Sequence, residues 1–252
     1  MKILLIDIET SPNIAHVWGM FKQNIGLNQL METGEVICYA AKWLNDDEVF
    51  FGSTHHDGKE SMLLGAHALL EEADVVVHYN GERFDIPHLN TEFVKAGLMP
   101  PASFKQIDLF KTVKANFRFT SNKLAHVAVE LGVGKKVVNE GHTLWVKCMA
   151  GIESAWEDMR EYNMQDTVLL EDLYYVLLPW LKVSVNAGLY GKSDSLQCPH
   201  CGGDKLHKRG FSYTSVSKFQ RYQCQGCGAW SRGSKNLTTK EERQTIVRRE
   251  IR

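Results

Sequence analysis

Apolar residues in the first 53 positions fall into short runs that turn-forming segments separate. The runs "KILLIDIE", "IAHVWGM", "EVICYAAKWL" and "EVFFGS" predict a series of antiparallel strands. Helical spacing in "SMLLGAHALLEEA" and "FDIPHLNTEFVKAGL" then alternates with the apolar runs "DVVVHYN" and "FKQIDLF", which predict buried strands. Antiparallel strands followed by alternating helices and strands predict a mixed α/β sheet with helices on its faces.

Two further helices follow from the same spacing. "SNKLAHVAVELGV" predicts a helix that Ser121 or Asn122 caps and that ends near Gly132. "ESAWEDMREYNMQDTVLLEDLYYVLLPWL" gives the strongest helical pattern, which Pro179 interrupts late. In the last residues, "TTKEERQTIVRREIR" predicts a short basic helix capped by Thr238 or Thr239, with a mobile arm as the alternative.

Composition changes along the chain indicate four segments. The segment "NAGLYGKSDS" has the small and polar residues of a linker. We predict a domain over 1–185, a linker over 186–195, a small cysteine-containing domain over 196–234 and a basic tail over 235–252.

The chain of 252 residues is 44% hydrophobic and 23% charged, which is sufficient for a sizeable core. No apolar run reaches the roughly 18 residues of a transmembrane helix, and the first residues lack the features of a signal peptide. We therefore expect no membrane association and an intracellular, cytoplasmic location.

Charge is divided unequally between the two ends. From Leu196 onward there are 12 Lys and Arg and 4 Asp and Glu, a net charge of +8, whereas the preceding residues carry −9. Basic ends commonly contact nucleic acid, and a solvated tail that aids solubility is the alternative.

Two carboxylates end the first predicted strand. Asp7 and Glu9 are two residues apart, so in a strand they project from the same face. Like charges held close repel each other unless a cation lies between them or water surrounds them. Taken alone, this pair is more often hydrated than bound to a metal ion.

Two later stretches add acids in comparable settings. "HYNGERFDIPHL" places Asp85 after a buried strand, where an N-cap is the ordinary role for such a residue. "REYNMQDTV" places Tyr162 and Asp166 four residues apart on one face of the strongest helix, and a partly exposed face is the alternative reading.

Taken in order, these three motifs resemble those of the DEDD-type 3′–5′ exonucleases in their tyrosine subclass. These are ribonuclease H-like proteins, and the match is closest to the proofreading domains of family B DNA polymerases. "NKLAHVAVELGVGKK" is also similar to the stretch between their second and third motifs. The resemblance covers roughly residues 1–180 and implies a ribonuclease H-like mixed sheet flanked by helices.

The resemblance also implies a metal-dependent active site. Two Mg²⁺ or Mn²⁺ ions would be held by Asp7, Glu9, Asp85 and Asp166, and Tyr162 would orient the attacking water. In the histidine subclass a His precedes the last Asp by five residues, and here that position is Glu161. Asp108 is a further acid that would support or replace a ligand. Contacts with the terminal nucleotide are expected from Thr10, Asn80 and Phe84.

The motifs "CPHC" and "CQGC" supply four of the six cysteines. Two CxxC pairs at this separation favour one tetrahedral site with a structural Zn²⁺ over two disulfides; the cysteines are Cys198, Cys201, Cys224 and Cys227. Gly202 and Gly228 follow the pairs, where a knuckle turn needs freedom in φ. The segment resembles zinc ribbons of transposases and transcription-related proteins. Cys38 and Cys148 stand alone and are expected to be buried.

Basic and aromatic residues alternate around the second CxxC pair. Cations for phosphates and rings for bases are typical of single-strand binding. The expected contacts are Lys208, Arg209, Lys218, Arg221 and Trp230. Alternatively, the aromatic residues form the small core of the ribbon.

The leading hypothesis is therefore a 3′–5′ exonuclease that releases nucleoside 5′-monophosphates, with DNA preferred over RNA by resemblance alone. A second hypothesis is a structure-specific endonuclease or ribonuclease on the same fold. A third is a non-catalytic tether, in which the ribbon binds nucleic acid or a protein partner.

Overall fold

A computed structural model describes residues 1–135, 139–182, 185–191 and 193–247. Two compact units make up the chain, Lys2–Tyr174 and a second unit of Tyr175–Arg252 with Met1. The predicted boundaries at 185, 195 and 234 stay predictions, and part of the predicted tail lies outside the described residues.

A five-stranded mixed sheet forms the centre of the first unit, with the order β5-β4-β1-β6-β7. Strands β5, β4 and β1 pair antiparallel, whereas β1, β6 and β7 pair parallel. The strands are β1 (Ile3–Thr10), β4 (Val36–Trp43), β5 (Val49–Ser53), β6 (Val75–His78) and β7 (Lys105–Asp108). This confirms the predicted mixed sheet with helices on its faces.

Alternation along β1 directs its residues to two cores. Leu4, Ile6 and Ile8 pack with helices α1 (Lys59–Glu72) and α2 (Asp85–Lys95). Because alternate strand residues face opposite sides, Asp7 and Glu9 project to the other face. There a second apolar cluster includes residues of α5 (His142–Met149) and α6 (Glu153–Leu177).

The helices α3 (Leu109–Asn116) and α4 (Leu124–Leu131) follow β7. Gly132, in the left-handed conformation at φ 68°, ends α4 as predicted. The predicted caps Ser121 and Asn122 are wrong, because the N-cap is Lys123 and no side chain caps this helix. The short helix α5 was not predicted from the sequence.

An arm formed by residues 11–35 follows β1. Its base is closed by hydrogen bonds from Ser11 N to Glu35 O (2.8 Å) and from Glu35 N to Ser11 Oγ (2.9 Å). Within it, β2 (Ile14–Ala15) pairs with β3 (Leu30–Glu32), so "IAHVWGM" is not the continuous strand that its pattern predicted. Its large exposed side chains include Trp18 (99% exposed), Met20, Phe21 and Leu27.

In the second unit, three antiparallel strands pair in the order β10-β9-β8. Their bounds are β8 (Leu206–Tyr213), β9 (Lys218–Cys224) and β10 (Trp230–Asn236). Helix α7 (Lys240–Gln244) begins with a capping box between Thr239 and Glu242. Of the two predicted caps, Thr239 is therefore the N-cap. Among the described residues, no helix is long and apolar enough to cross a bilayer.

Candidate active site and cysteine cluster

Three predicted acids meet at the carboxyl end of β1. Asp7, Glu9 and Asp166 each place a carboxylate oxygen within 4.8 Å of those of the other two. Asp166 is 2% exposed, so water offers it little screening. Carboxylates crowded in this way repel one another, and an all-oxygen donor set suits hard divalent cations such as Mg²⁺ or Mn²⁺. These residues therefore fit a divalent metal site.

Asp85 lies beside this cluster, although it is not one of the three grouped acids. Its Oδ1 accepts a hydrogen bond from Ile8 N (3.1 Å), on the residue between Asp7 and Glu9. The N-cap of α2 is Phe84, so Asp85 is the first helical residue and not the cap that its position suggested. Burial raises the pKa of Asp85 to about 7, against the effect of the backbone N–H donors. A neighbouring cation would favour its carboxylate form.

Helix α6 is fixed against the sheet by three polar residues spaced four apart. Asn163 donates from Nδ2 to Asp7 Oδ2 (2.7 Å), and Thr167 donates from Oγ1 to Ala40 O (3.2 Å). One helical turn further, Glu171 forms an ion pair with the buried Lys42. These contacts were not predicted from the sequence, although the spacing of four residues was a readable signal. Together they position Asp166 against β1.

Tyr162 lies one turn before Asp166 on α6, as predicted. Its side chain is buried, 7% exposed, and its ring lies edge-on to Trp145 at 6.1 Å between centroids. The same cluster contains Cys38 and Cys148, which confirms that both lone cysteines are buried. Burial and the charges of the acids on β1 raise the pKa of Cys38, so its thiol stays neutral.

Asp108 stabilises the neighbouring loop. Its Oδ1 accepts from Phe110 N (3.0 Å), which caps α3, and from Asn80 N (2.9 Å). Burial lowers the pKa of His78, whose Nδ1 accepts from Gly81 N (3.1 Å). The contacts of Asp108 favour a structural role for it over that of a metal ligand.

The Asn80–Gly81 pair has a steric explanation. Asn80 has φ 69°, in the left-handed region that Asn tolerates better than most residues. At Gly81 an added Cβ would lie 2.7 Å from His78 Cβ and 2.8 Å from Asp85 Oδ2. Only glycine leaves room here for the side chain of Asp85.

Gly81→Ala is expected to destabilise the fold by about 1–3 kcal/mol, because an extra methyl group overpacks a closed site. It is also expected to reduce any metal-dependent activity by displacing Asp85. Denaturant unfolding and Mg²⁺ titration would measure both effects. The matched control is Gly19→Ala, where the new Cβ meets only the flexible end of Gln23. Equal stability of the two variants would contradict this explanation.

The predicted nucleotide contacts occupy different settings. Thr10 ends β1 and lies beyond a register shift from Glu9. Phe84 is 38% exposed, and its ring centroid lies 4.4 Å from that of His88, so it is not a core residue. Asn80 takes part through its backbone in the loop described above.

The four cysteines of the second unit converge. The four Sγ atoms all lie within 4.8 Å of one another. The Sγ–Sγ distance is 3.7 Å both for Cys198–Cys227 and for Cys201–Cys224. These distances exceed the disulfide length of about 2.05 Å and agree with the edge of about 3.8 Å that tetrahedral Zn–S bonds of 2.3 Å require. The cluster therefore fits one metal ion, and its four cysteines are free thiols in this structure.

Each CxxC pair forms the same tight turn. Gly202 N donates to Cys198 O (2.8 Å), and Gly228 N donates to Cys224 O (3.0 Å). Both glycines have positive φ, 75° and 77°, as their positions predicted. Burial opposes ionisation of Cys224, but N–H groups of Cys227 and Gly226, together with the thiols of Cys201 and Cys227, lower its pKa. Burial instead raises the pKa of Cys198 and Cys227. Such backbone donors favour a thiolate, the form that binds metal.

Aromatic rings of the three-stranded sheet lie mainly outside its core. The apolar cluster at the cysteines consists of Cys198, Cys224 and Ala229 with partly buried Leu206 and Cys227. Three cations lie over rings, and the pairs are Lys218–Phe211 (3.9 Å), Arg221–Trp230 (4.8 Å) and Arg232–Phe219 (4.5 Å). Lys208 and Arg209 are exposed on β8. The rings therefore do not form the core that the alternative reading expected.

Comparison with known proteins agrees with the fold. The family model described as RNase_H superfamily matches residues 25–178. The matched region therefore begins after β1. A solved structure of the family B DNA polymerase from the hyperthermophilic archaeon Pyrobaculum calidifontis matches with a TM-score of 0.51 and 16% identity. That match covers 70% of this chain and 25% of the polymerase, so the chain spans about a quarter of its length. No curated protein matches the sequence.

The family model spans more than half of the chain, and the mixed sheet with acids at the end of its central strand agrees with that assignment. The chain belongs to the ribonuclease H superfamily.

Proposed function

We propose that the protein is a metal-dependent 3′–5′ exonuclease that hydrolyses terminal phosphodiester bonds of nucleic acid, with DNA preferred over RNA. The observation that carries this proposal is the convergence of Asp7, Glu9 and Asp166 at the end of β1. The resemblance of all three sequence motifs to the DEDD tyrosine subclass supports the exonuclease activity and its direction.

In this proposal Asp7, Glu9, Asp85 and Asp166 hold two divalent cations, Mg²⁺ or Mn²⁺. Bound cations of this kind supply a water activated at neutral pH and stabilise the charge on the leaving oxygen. Asn163 keeps Asp7 in a fixed rotamer through its 2.7 Å hydrogen bond. A phenol is a poor general base near neutral pH, so the role assigned to Tyr162 is to orient the attacking water.

Exposed rings near β1 support a single-stranded substrate. Thr10 and Phe84 flank the acids in sequence, and the proposed role of the exposed Phe84 ring is to stack on the terminal base. The arm starts one residue after Thr10 and presents Trp18 and Phe21 to solvent. Residues 11–31 of the arm contain Lys22 and no Asp or Glu, whereas the two acids of the arm, Glu32 and Glu35, lie at the end of β3 and at the base.

The second unit is proposed to be a zinc ribbon that aids substrate binding. Its four cysteines would hold one structural Zn²⁺, since thiolates are soft ligands that favour zinc over magnesium. Its net charge of +8 from Leu196 onward offsets the acidic body, and the cations Lys208, Arg209, Lys218 and Arg221 with Trp230 supply phosphate and base contacts.

Single-stranded DNA labelled at either end, incubated with Mg²⁺ or Mn²⁺, tests the activity and its direction. We expect a 5′-labelled strand to shorten stepwise and a 3′-labelled strand to release its label first as a mononucleotide. Matched RNA strands measure the preference for DNA. Heat-denatured protein with the same cations is the control for strand cleavage that does not require the folded protein.

A closed circular strand distinguishes the alternatives. Cleavage of the circle would establish endonucleolytic attack on the same fold, because a circle offers no end. Tight binding without cleavage of any substrate, in the presence of either cation, would instead favour a nucleic-acid or protein tether that acts through the ribbon.

A further inference from the structure

A second group of metal-ligating side chains lies outside the acidic site. His55 and His56, in the turn after β5, converge with Glu153 in the first turn of α6. One ligand atom of each lies within 4.8 Å of the other two. Glu153 Oε2 is 2.8 Å from His55 Nε2, and its Oε1 is 3.4 Å from His56 Nε2. A single carboxylate therefore faces two imidazole nitrogens that come from 97 or more residues away in sequence.

Both imidazole rings are held by neighbouring side chains. The His55 ring stacks on buried Trp156, with centroids 5.2 Å apart and planes inclined by 7°. His56 Nδ1 lies 2.7 Å from the hydroxyl of Ser53, which is fully buried. When Nδ1–H donates to that hydroxyl, Nε2 carries the lone pair and faces the glutamate. Histidine ligands of metal ions are commonly oriented through the second ring nitrogen in this way.

The donor set differs from that of the acidic site. Two imidazole nitrogens and one carboxylate suit a borderline first-row ion such as Zn²⁺ or Ni²⁺, whereas carboxylates alone suit Mg²⁺ or Mn²⁺. Three protein ligands leave a further coordination position for water. An ordinary ion pair would need only one imidazole beside Glu153. It would not explain why the imidazoles of both His55 and His56 face this carboxylate.

We propose that His55, His56 and Glu153 form a binding site for one divalent first-row transition-metal ion, separate from the acidic site and from the four cysteines. The bound ion joins the turn after β5 to the start of α6, the helix that carries Tyr162 and Asp166. It therefore stabilises the folded first unit by mass action.

Calorimetric titration of the full-length protein with Ni²⁺ tests this site, when the protein carries a single equivalent of zinc for the four cysteines and millimolar Mg²⁺ saturates the carboxylates. We expect one additional equivalent to bind. His55→Ala and His56→Ala should each weaken Ni²⁺ binding by about tenfold or more, because each variant lacks one of the three ligands. Glu153→Gln should weaken binding less, because the amide keeps an oxygen donor. Circular dichroism verifies that each variant is folded.

Tryptophan fluorescence gives a readout tied to this location. Ni²⁺ bound at His55 is expected to quench the emission of Trp156, and Trp156→Phe should abolish that part of the quenching. The matched control is His126→Ala, which removes a histidine of similar exposure on α4 and should leave both signals unchanged. Equal Ni²⁺ affinity in the wild type and in His55→Ala/His56→Ala, or no binding by the folded wild type, would overturn the proposal. Neither readout depends on nuclease activity.

Discussion

Asp166→Asn is expected to reduce Mg²⁺-dependent cleavage of single-stranded DNA by on the order of a thousandfold. The substitution keeps the shape of the side chain and removes one negative charge from the cluster with Asp7 and Glu9. Because a neutral amide binds a hard cation poorly, the loss should follow from weaker metal binding and weaker stabilisation of the reacting phosphate.

Cleavage rates at rising Mg²⁺ and Mn²⁺ concentrations measure this effect. The matched control is Glu161→Gln, an exposed acid on the same helix that should keep the wild-type rate. Unchanged unfolding free energy in Asp166→Asn would show that α6 remains in place. A fully active, folded Asp166→Asn protein would place the chemistry elsewhere in the molecule.

Replacement of Cys224 and Cys227 by serine is expected to unfold the three-stranded sheet of the second unit. The apolar cluster that packs against this sheet has two cysteines and an alanine as its buried members, so little apolar burial would hold the sheet once the proposed Zn²⁺ is lost. Structural zinc in small domains contributes about 10–16 kcal/mol of binding free energy, which exceeds what such a core supplies.

Zinc content, circular dichroism and fluorescence anisotropy with a labelled single strand would follow this change. We expect loss of one zinc equivalent and a drop in affinity of about tenfold or more. The comparison variant is Lys218→Ala/Arg221→Ala, which should keep zinc but bind the strand less tightly, since both cations lie over exposed rings. If the double serine variant kept its zinc, the four cysteines would not form the site.

Local patterns along the chain predicted much of the fold. The apolar run of β1 and the helical spacing in α1, α2 and α6 predicted the mixed sheet, because the burial of a strand or helix is written into short windows of sequence. The knuckle glycines were predictable for a similar reason, since each turn depends on residues within four positions. The run "IAHVWGM" was wrongly predicted to be one continuous strand, because its apolar side chains are exposed on the arm and do not pack on the face of a sheet.

Parts of the candidate site could not be predicted in this way. Asn163 meets Asp7 across 156 residues, and Asp85 meets Ile8 across 77. The sequence led us to expect that Asp108 would support or replace a ligand, whereas its contacts with Asn80 and the start of α3 favour a structural role. The N-terminal caps of α2 and α4 were also missed, because the pattern of a helix defines its interior more clearly than its ends.

The sequence by itself determined which elements form, which residues have ligand chemistry and which cysteines pair into turns, since these depend on neighbours within a few positions. Only the tertiary structure decided which acids share a site, which one caps a helix and that two histidines meet Glu153. Those outcomes depend on how helices pack across the sheet, and packing energy is summed over contacts between residues far apart in the chain.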